Sequence, residues 1–151
     1  DSDQACFNKM ISLSDNACAE GFLNAIGVST LTSEANAIGL KNSTFMKGGG
    51  PYTTANDQAL LLGMIATGQN FSSANQQRLL EAMKKNIYRK GIPAGVSGTV
   101  ADKVGFMNGL LHDSAIVYGS HGTYVLSIMT DGASWEAIAD LAKQLDALRA
   151  Q

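Results

Sequence analysis

The order of elements predicts an α+β fold: helices first, then a three-stranded antiparallel meander, then one closing helix. Three observations predict it. Apolar residues keep a helical spacing, with loop breaks, up to about residue 90. From Gly91 the period shortens to two over three stretches separated by turn sequences. The last stretch returns to helical spacing. The chain shows no internal repeat, low-complexity tract or domain linker, and no βαβ alternation of a doubly wound sheet.

Asp3 to Ser12 sets Phe7, Met10 and Ile11 on one face of a short helix. Ser14-Asp15-Asn16 interrupts it and supplies N-cap chemistry for a second helix, Ala17 to Ile26, which Gly27 ends. Val28 to Tyr52 reads as loop-rich, its small polar residues leading to Gly48-Gly49-Gly50-Pro51, a run that continues no regular element. Thr54, with Asp57 in the first turn, opens a helix through Ala66 that turns Leu60, Leu61, Met64 and Ile65 inward; Gly68 closes it. Ser73 with Gln76 makes a capping-box pattern for the next helix, which runs to about Ile87 with Leu79, Leu80 and Met83 inward. The strands are Thr99 to Val104, Ser114 to Tyr118 and Thr123 to Met129. Turns containing Asn108-Gly109 and Gly119-Ser120-His121-Gly122 join them. Ser134 to Leu148 is the closing helix, with Trp135, Ile138, Leu141, Leu145 and Leu148 as its buried stripe.

Length and composition bound the function. The 151 residues suffice for one domain with a real core and are too few for two ordinary ones. With 45% hydrophobic and 16% charged residues, the chain has a globular composition. A net charge of −2 offers no field to attract nucleic acid or an anionic membrane, so neither is expected as a partner. The longest apolar run, Ala59 to Ala66, is broken by Gly63 and is too short to span a bilayer. The first residue is Asp, which points to a processed or excised segment. Cys6 and Cys18 have no His or further Cys around them at zinc-like spacing, and no metal or cofactor is expected. In an exported protein they read as a disulfide closing a small loop, and in a cytosolic one as two small buried apolar side chains.

Two triplets carry the chemistry. Ser14-Asp15-Asn16 alone reads as a helix cap. Lys103-Val104-Gly105 stands at the edge of a predicted strand, after the approach Gly91-Ile92-Pro93-Ala94-Gly95 and Val100-Ala101-Asp102. In this order and separation they resemble the second and third active-site motifs of the penicillin-recognising serine hydrolases, the superfamily of class A β-lactamases and D-alanyl-D-alanine peptidases. Gly39-Leu40-Lys41-Asn42-Ser43-Thr44-Phe45 and Tyr52-Thr53-Thr54-Ala55-Asn56-Asp57 resemble the corresponding loop and helix start. The resemblance runs from about Cys6 to the last helix. It implies a β-lactamase/transpeptidase-like fold over 1–151, with a helical part to about residue 90 and the last three strands and closing helix after it.

The family breaks amide or lactam bonds through a serine ester, which needs a nucleophile, a base, a proton route to the leaving nitrogen, and donors for the substrate. By resemblance, Ser14 is catalytic and shuttles a proton to the departing amine. Asn16 hydrogen-bonds the substrate amide, while Asp15 faces away and holds the turn. Lys103 is catalytic in holding the shuttle hydroxyl and helps fix the substrate carboxylate. Gly105 leaves room for substrate to lie beside the strand. Val104 replaces a usual Thr or Ser and removes a hydroxyl. His112 either contacts the substrate carboxylate when protonated, or bonds Asp113 or a turn backbone and closes the hairpin. Glu34 is the only carboxylate between Gly21 and Asp57, and its neighbours do not match the family's Glu that activates the deacylating water.

The family's first motif, Ser-x-x-Lys, is absent. The resemblance therefore implies the C-terminal part of a longer serine acyl hydrolase, secreted or in the cell envelope and inactive alone, completed by an N-terminal segment of the same protein. Loss of the helix bearing that motif would expose large apolar side chains at about 1.5–3 kcal/mol each. The implied substrates are β-lactams or peptidoglycan stem peptides. A non-catalytic peptidoglycan- or β-lactam-binding relative is the alternative, and an unrelated α+β interaction domain is the third reading.

Overall fold

The structure is a computed structural model that describes residues 2–45 and 50–151. Helix α1, Asp3–Ser12, starts at Ser2, whose side chain accepts from the Ala5 N–H. Helix α2, Asn16–Ile26, starts at Asp15 and ends at Gly27. Helix α3 then occupies Val28–Ala37, where the sequence predicts loop. Its β-branched and hydroxyl residues are weak helix formers, but their side chains find partners in the next loop. Thr32 Oγ1 accepts from Phe45 N–H at 2.8 Å and donates to Phe45 O, and Asn36 Nδ2 donates to Ser43 O. Long-range bonds outweigh local preference here. Of the predicted glycine run, Gly48 and Gly49 lie outside the described residues; Thr44 and Tyr52 pair across it as an isolated bridge.

Helix α4, Ala55–Thr67, has the predicted Thr54 cap and Gly68 stop. Its inward residues are Leu62 and Ile65, whereas Leu60 is 45% exposed, contrary to its predicted place inside. Asp57 in the first turn is buried and accepts from Asn42 N–H and Ser43 Oγ, which ties the preceding loop to the helix. Helix α5, Ser73–Lys84, begins at Ser72, not in a Ser73–Gln76 capping box. Gln76 instead donates to the Ile65 and Ala66 carbonyls at the end of α4. The helix also stops short of Ile87. Asn86 leaves it to donate to Asp102 O and to accept from Tyr88 N–H, exchanging a helical turn for bonds to the sheet.

Helix α6 is the single turn Ile92–Gly95. Strands β1 (Thr99–Met107), β2 (Leu110–Gly119) and β3 (Gly122–Asp131) follow as the predicted antiparallel meander, in the order β1-β2-β3. The strands outrun their predicted ends. β1 continues through Gly105 because the Asn108-Gly109 turn fixes where the chain reverses, and pairs Gly105 with His112. One sheet face, with Val100, Ala115, Val117 and Ile128, packs on Ile92 of α6 and on Ile138 and Ala142 of α7, which spans Trp135–Leu148. The other face, with Ala101 and Ile116, packs on Leu62 and Ile65 of α4 and Met83 of α5. The stripe predicted for α7 is narrower than expected: Leu141 is 43% and Leu148 61% exposed. Among the described residues no helix is long and apolar enough to cross a membrane.

Gly95 lets α6 touch α7. A Cβ there would stand 2.0 Å from the Ala139 carbonyl oxygen, inside any tolerable contact. Gly95→Ala should therefore lower stability by about 1–3 kcal/mol, read as the midpoint shift in urea. An unchanged midpoint would mean that α6 does not press on α7.

Candidate active site

Ser14 sits in the turn between α1 and α2 with φ +56°, a left-handed conformation that non-glycine residues rarely adopt. Such a residue persists where its surroundings over-determine it. Here Asp15 N–H donates to Lys9 O, Asp15 Oδ1 accepts from Cys18 N–H at 2.9 Å, and a disulfide joins Cys6 to Cys18 across the turn. Asp15 thus has the turn-holding place that the sequence suggests. The cysteines are paired, which resolves the two readings left open above.

Lys103 reaches this turn from β1. Its Nζ donates to Ser14 Oγ in a short hydrogen bond and to Val104 O at 2.6 Å. The ammonium is half-buried, and burial pushes its pKa below the usual lysine value, while the Asp102 and Asp113 carboxyl groups act the other way. Ser14, Asn16, Lys103, Val104 and Gly105 line one open pocket of about 280 Å³. Four of the five predicted site residues therefore share one cavity, assembled from a helix turn and an edge strand.

His112 lies next to it. It is the register partner of Gly105, and its ring comes within 3.9 Å of the point where a Gly105 Cβ would stand. Its Nδ1 accepts from Thr130 N–H on β3 at 3.1 Å, and not from Asp113. That bond assigns the ring proton of the neutral tautomer to Nε2. Glu34 is on α3 and lines a different, apolar cavity of about 510 Å³ with Ile38, Leu40 and Phe45. Among the described residues, Asp15 is the only carboxylate lining the Ser14 pocket, and its Oδ1 already caps α2. No group of His, Cys, Asp and Glu able to hold a metal occurs among the described residues.

Two residues behind the site went unassigned in the sequence. Asp102 and Asp113 are completely buried, and Asp102 Oδ1 takes the Arg89 guanidinium at 2.7 Å. The signal was present: in an alternating strand, Asp102 falls on the same face as the apolar Val100 and Val104.

The profile of the β-lactamase enzyme family matches residues 3–148. The chain belongs to that family. A search of curated protein sequences finds no match. Among solved structures, a β-lactamase from Sphaerobacter thermophilus DSM 20745 superposes with a TM-score of 0.88 at 20% identity, covering 97% of this chain and 62% of that one. PBP-A gives 0.86 at 23% identity, covering 95% and 60%. A β-lactamase from Streptosporangium roseum gives 0.86 at 24%, covering 97% and 64%. These likenesses establish the β-lactamase-like fold of the penicillin-recognising serine hydrolases. The chain spans about 60% of the length of the PBP-A chain.

Within this family fold the disulfide constrains the turn that carries Ser14. Replacing both Cys6 and Cys18 by Ala should cost about 2–3 kcal/mol, measured by chemical denaturation against the oxidised parent. No loss would mean that the Asp15 cap and helix packing hold the turn alone.

Proposed function

We propose that this chain is part of a serine acyl hydrolase acting on β-lactams or peptidoglycan stem peptides through a serine acyl-enzyme, with the nucleophile on an upstream segment of the same protein. The observation that carries the reading is the Lys103–Ser14 contact at an open strand edge. A lysine amine bonded to a serine hydroxyl gives a proton route: Ser14 passes its proton to the leaving nitrogen and is recharged by the attacking nucleophile's proton. Asn16 bonds the substrate amide. Gly105 leaves the edge of β1 clear for an extended substrate. Lys103 and His112 Nε2–H face the substrate carboxylate. Val104, buried and apolar, supplies no hydroxyl to it.

The upstream segment has a place to pack. Phe7, Phe22, Phe71 and Leu79 line an open cavity of about 560 Å³ between α1, α2 and α5, the kind of surface a helix carrying Ser-x-x-Lys would cover. The disulfide fits an oxidising, extracytoplasmic compartment and supports secretion or a cell-envelope location.

A binding relative without turnover is the second reading, favoured by one observation: the only carboxylate lining the Ser14 pocket among the described residues is engaged in capping. In the first reading the same observation implies slow deacylation, because a water needs a base to attack the ester. A mutant of PBP-A has been solved as an acyl-enzyme complex with penicillin G, and a long-lived adduct of that kind is what this pocket suits.

Intact-mass analysis of the full-length polypeptide treated with a fluorescent penicillin tests the reading. A persistent penicilloyl adduct on the upstream segment is expected, and a folded protein that takes no adduct would leave only the binding relative. Ser14→Ala and Lys103→Ala should each slow acylation by about 10²–10⁴-fold with an unaltered melting temperature; normal acylation in both would sink the assignment. His112→Ala should weaken binding of substrates bearing a free carboxylate more than of their esters. Equal loss for both would remove His112 from the site.

A further inference from the structure

Behind Lys103, on the opposite face of the sheet, two aspartates meet in the dry interior. Asp102 pairs in register with Ala115 and Asp113 with Val104, so the two carboxyl groups are diagonal neighbours on one face. Both are completely buried. Each has one oxygen satisfied: Asp102 Oδ1 by Arg89 Nη1 at 2.7 Å, and Asp113 Oδ2 by Ile92 N–H at 2.9 Å. The remaining oxygens, Asp102 Oδ2 and Asp113 Oδ1, have no hydrogen-bond partner among the described residues. As diagonal neighbours on one strand face, the two side chains are placed to satisfy those oxygens with one another. Carboxylates only accept, so a bond between them requires a proton on one of them.

We propose that Asp102 and Asp113 share one proton as a buried carboxylic acid–carboxylate pair, and that this pair positions the strand bearing Lys103. The function given to Lys103 rests on the reading above; the shared proton does not. The surroundings fit one negative charge and not two. Arg89 is the cation facing Asp102, and its other nitrogen donates to Val100 O. Lys103 acts on both carboxyls from β1 without contacting either, and Asn86 adds a neutral amide. α6 presents the Ile92 amide and α7 the uncharged Trp135. Gly91 completes the enclosure, since a Cβ there would stand 2.5 Å from Asp113 Oδ2. Burial, opposed by the neighbouring Asp113 and by Arg89, raises the Asp102 pKa to about 6; burial together with the Asp102 charge raises that of Asp113 to about 9.

The pair cross-links β1, β2 and the segment from Asn86 to Ile92, and so fixes the height of Lys103 above Ser14. Its pH dependence has a definite sign. Asp113 keeps its proton in the folded protein and releases it on unfolding at any pH above the ordinary aspartate value of 3.8. Stability contributed at low pH is therefore lost as pH rises from that value toward about 9, where the folded form ionises too.

Asp113→Asn separates the proton from the cross-link, because its amide can donate to Asp102 and accept from Ile92. In the full-length polypeptide, the folded-to-unfolded ratio of the parent should fall relative to the variant by up to about tenfold per pH unit across this window. Acylation by the fluorescent penicillin should keep its rate to higher pH in the variant. Parallel stability curves would overturn the shared proton, and coincident alkaline limbs the positioning role. Should the variant fail to fold, infrared spectroscopy of the parent decides: a buried carboxylic acid band at neutral pH is expected, and its absence overturns the pair. A protein with that band but no acylation at any pH would remove the proposed function and leave the pair standing.

Discussion

The bond from the Lys103 ammonium to the Ser14 hydroxyl joins a helix turn to a sheet edge, and much of the structure is organised around bringing those two atoms together. Strand register is the constraint on one side. Side chains alternate along a strand, so a slip of one residue would turn Lys103 toward α7 and Asp102 toward α4 and α5. Several bonds resist that slip. Asn86 donates to Asp102 O, Arg89 to Asp102 Oδ1 and Val100 O, and Ile92 to Asp113. On the other side, the Asp15 cap and the Cys6–Cys18 disulfide hold Ser14 in a conformation that costs a non-glycine residue roughly 1–2 kcal/mol.

Opposite physical devices therefore serve the two partners. The turn is fixed by covalent and capping bonds near the surface. The strand is fixed by a buried polar cross-link on the face away from the pocket. This division leaves the pocket side of Gly105 clear, which a substrate lying along the strand edge would need.

Much of this could be read from the sequence because the residues concerned act locally. A cap, a stop glycine, an Asn-Gly turn and strand alternation each need only a few neighbours, and these placed α1, α2, α4, the meander and α7. The readings that failed depended on distant partners. α3 is held by Thr32 and Asn36 reaching Phe45 and Ser43, which no helical spacing reveals. Gln76 looked like a capping partner for its own helix but serves the end of α4. Asn86 ends α5 early because Asp102 O is available to it. The site followed the same rule. Ser14, Asn16, Lys103 and Gly105 of the proposed site came from motifs and strand alternation marks Asp102, whereas its meeting with Asp113 emerges only once two strands are laid side by side.

The electrostatics of Lys103 follow from that juxtaposition. Burial alone drives a lysine toward its neutral form, which would weaken its hold on a substrate carboxylate. Two ionised aspartates nearby would reverse that effect strongly, at the cost of forcing like charges together in a dry interior. A pair with one proton lies between these limits. Arg89 already offsets much of the remaining negative charge, and beside the residual attraction of the aspartates Lys103 keeps its hydrogen bonds to the Ser14 hydroxyl and the Val104 carbonyl in the pocket. An ammonium whose hydrogen bonds go to pocket groups is one that an incoming anion can win over. Keeping the carboxylates paired to each other and to Arg89, instead of to Lys103, is what leaves the lysine available.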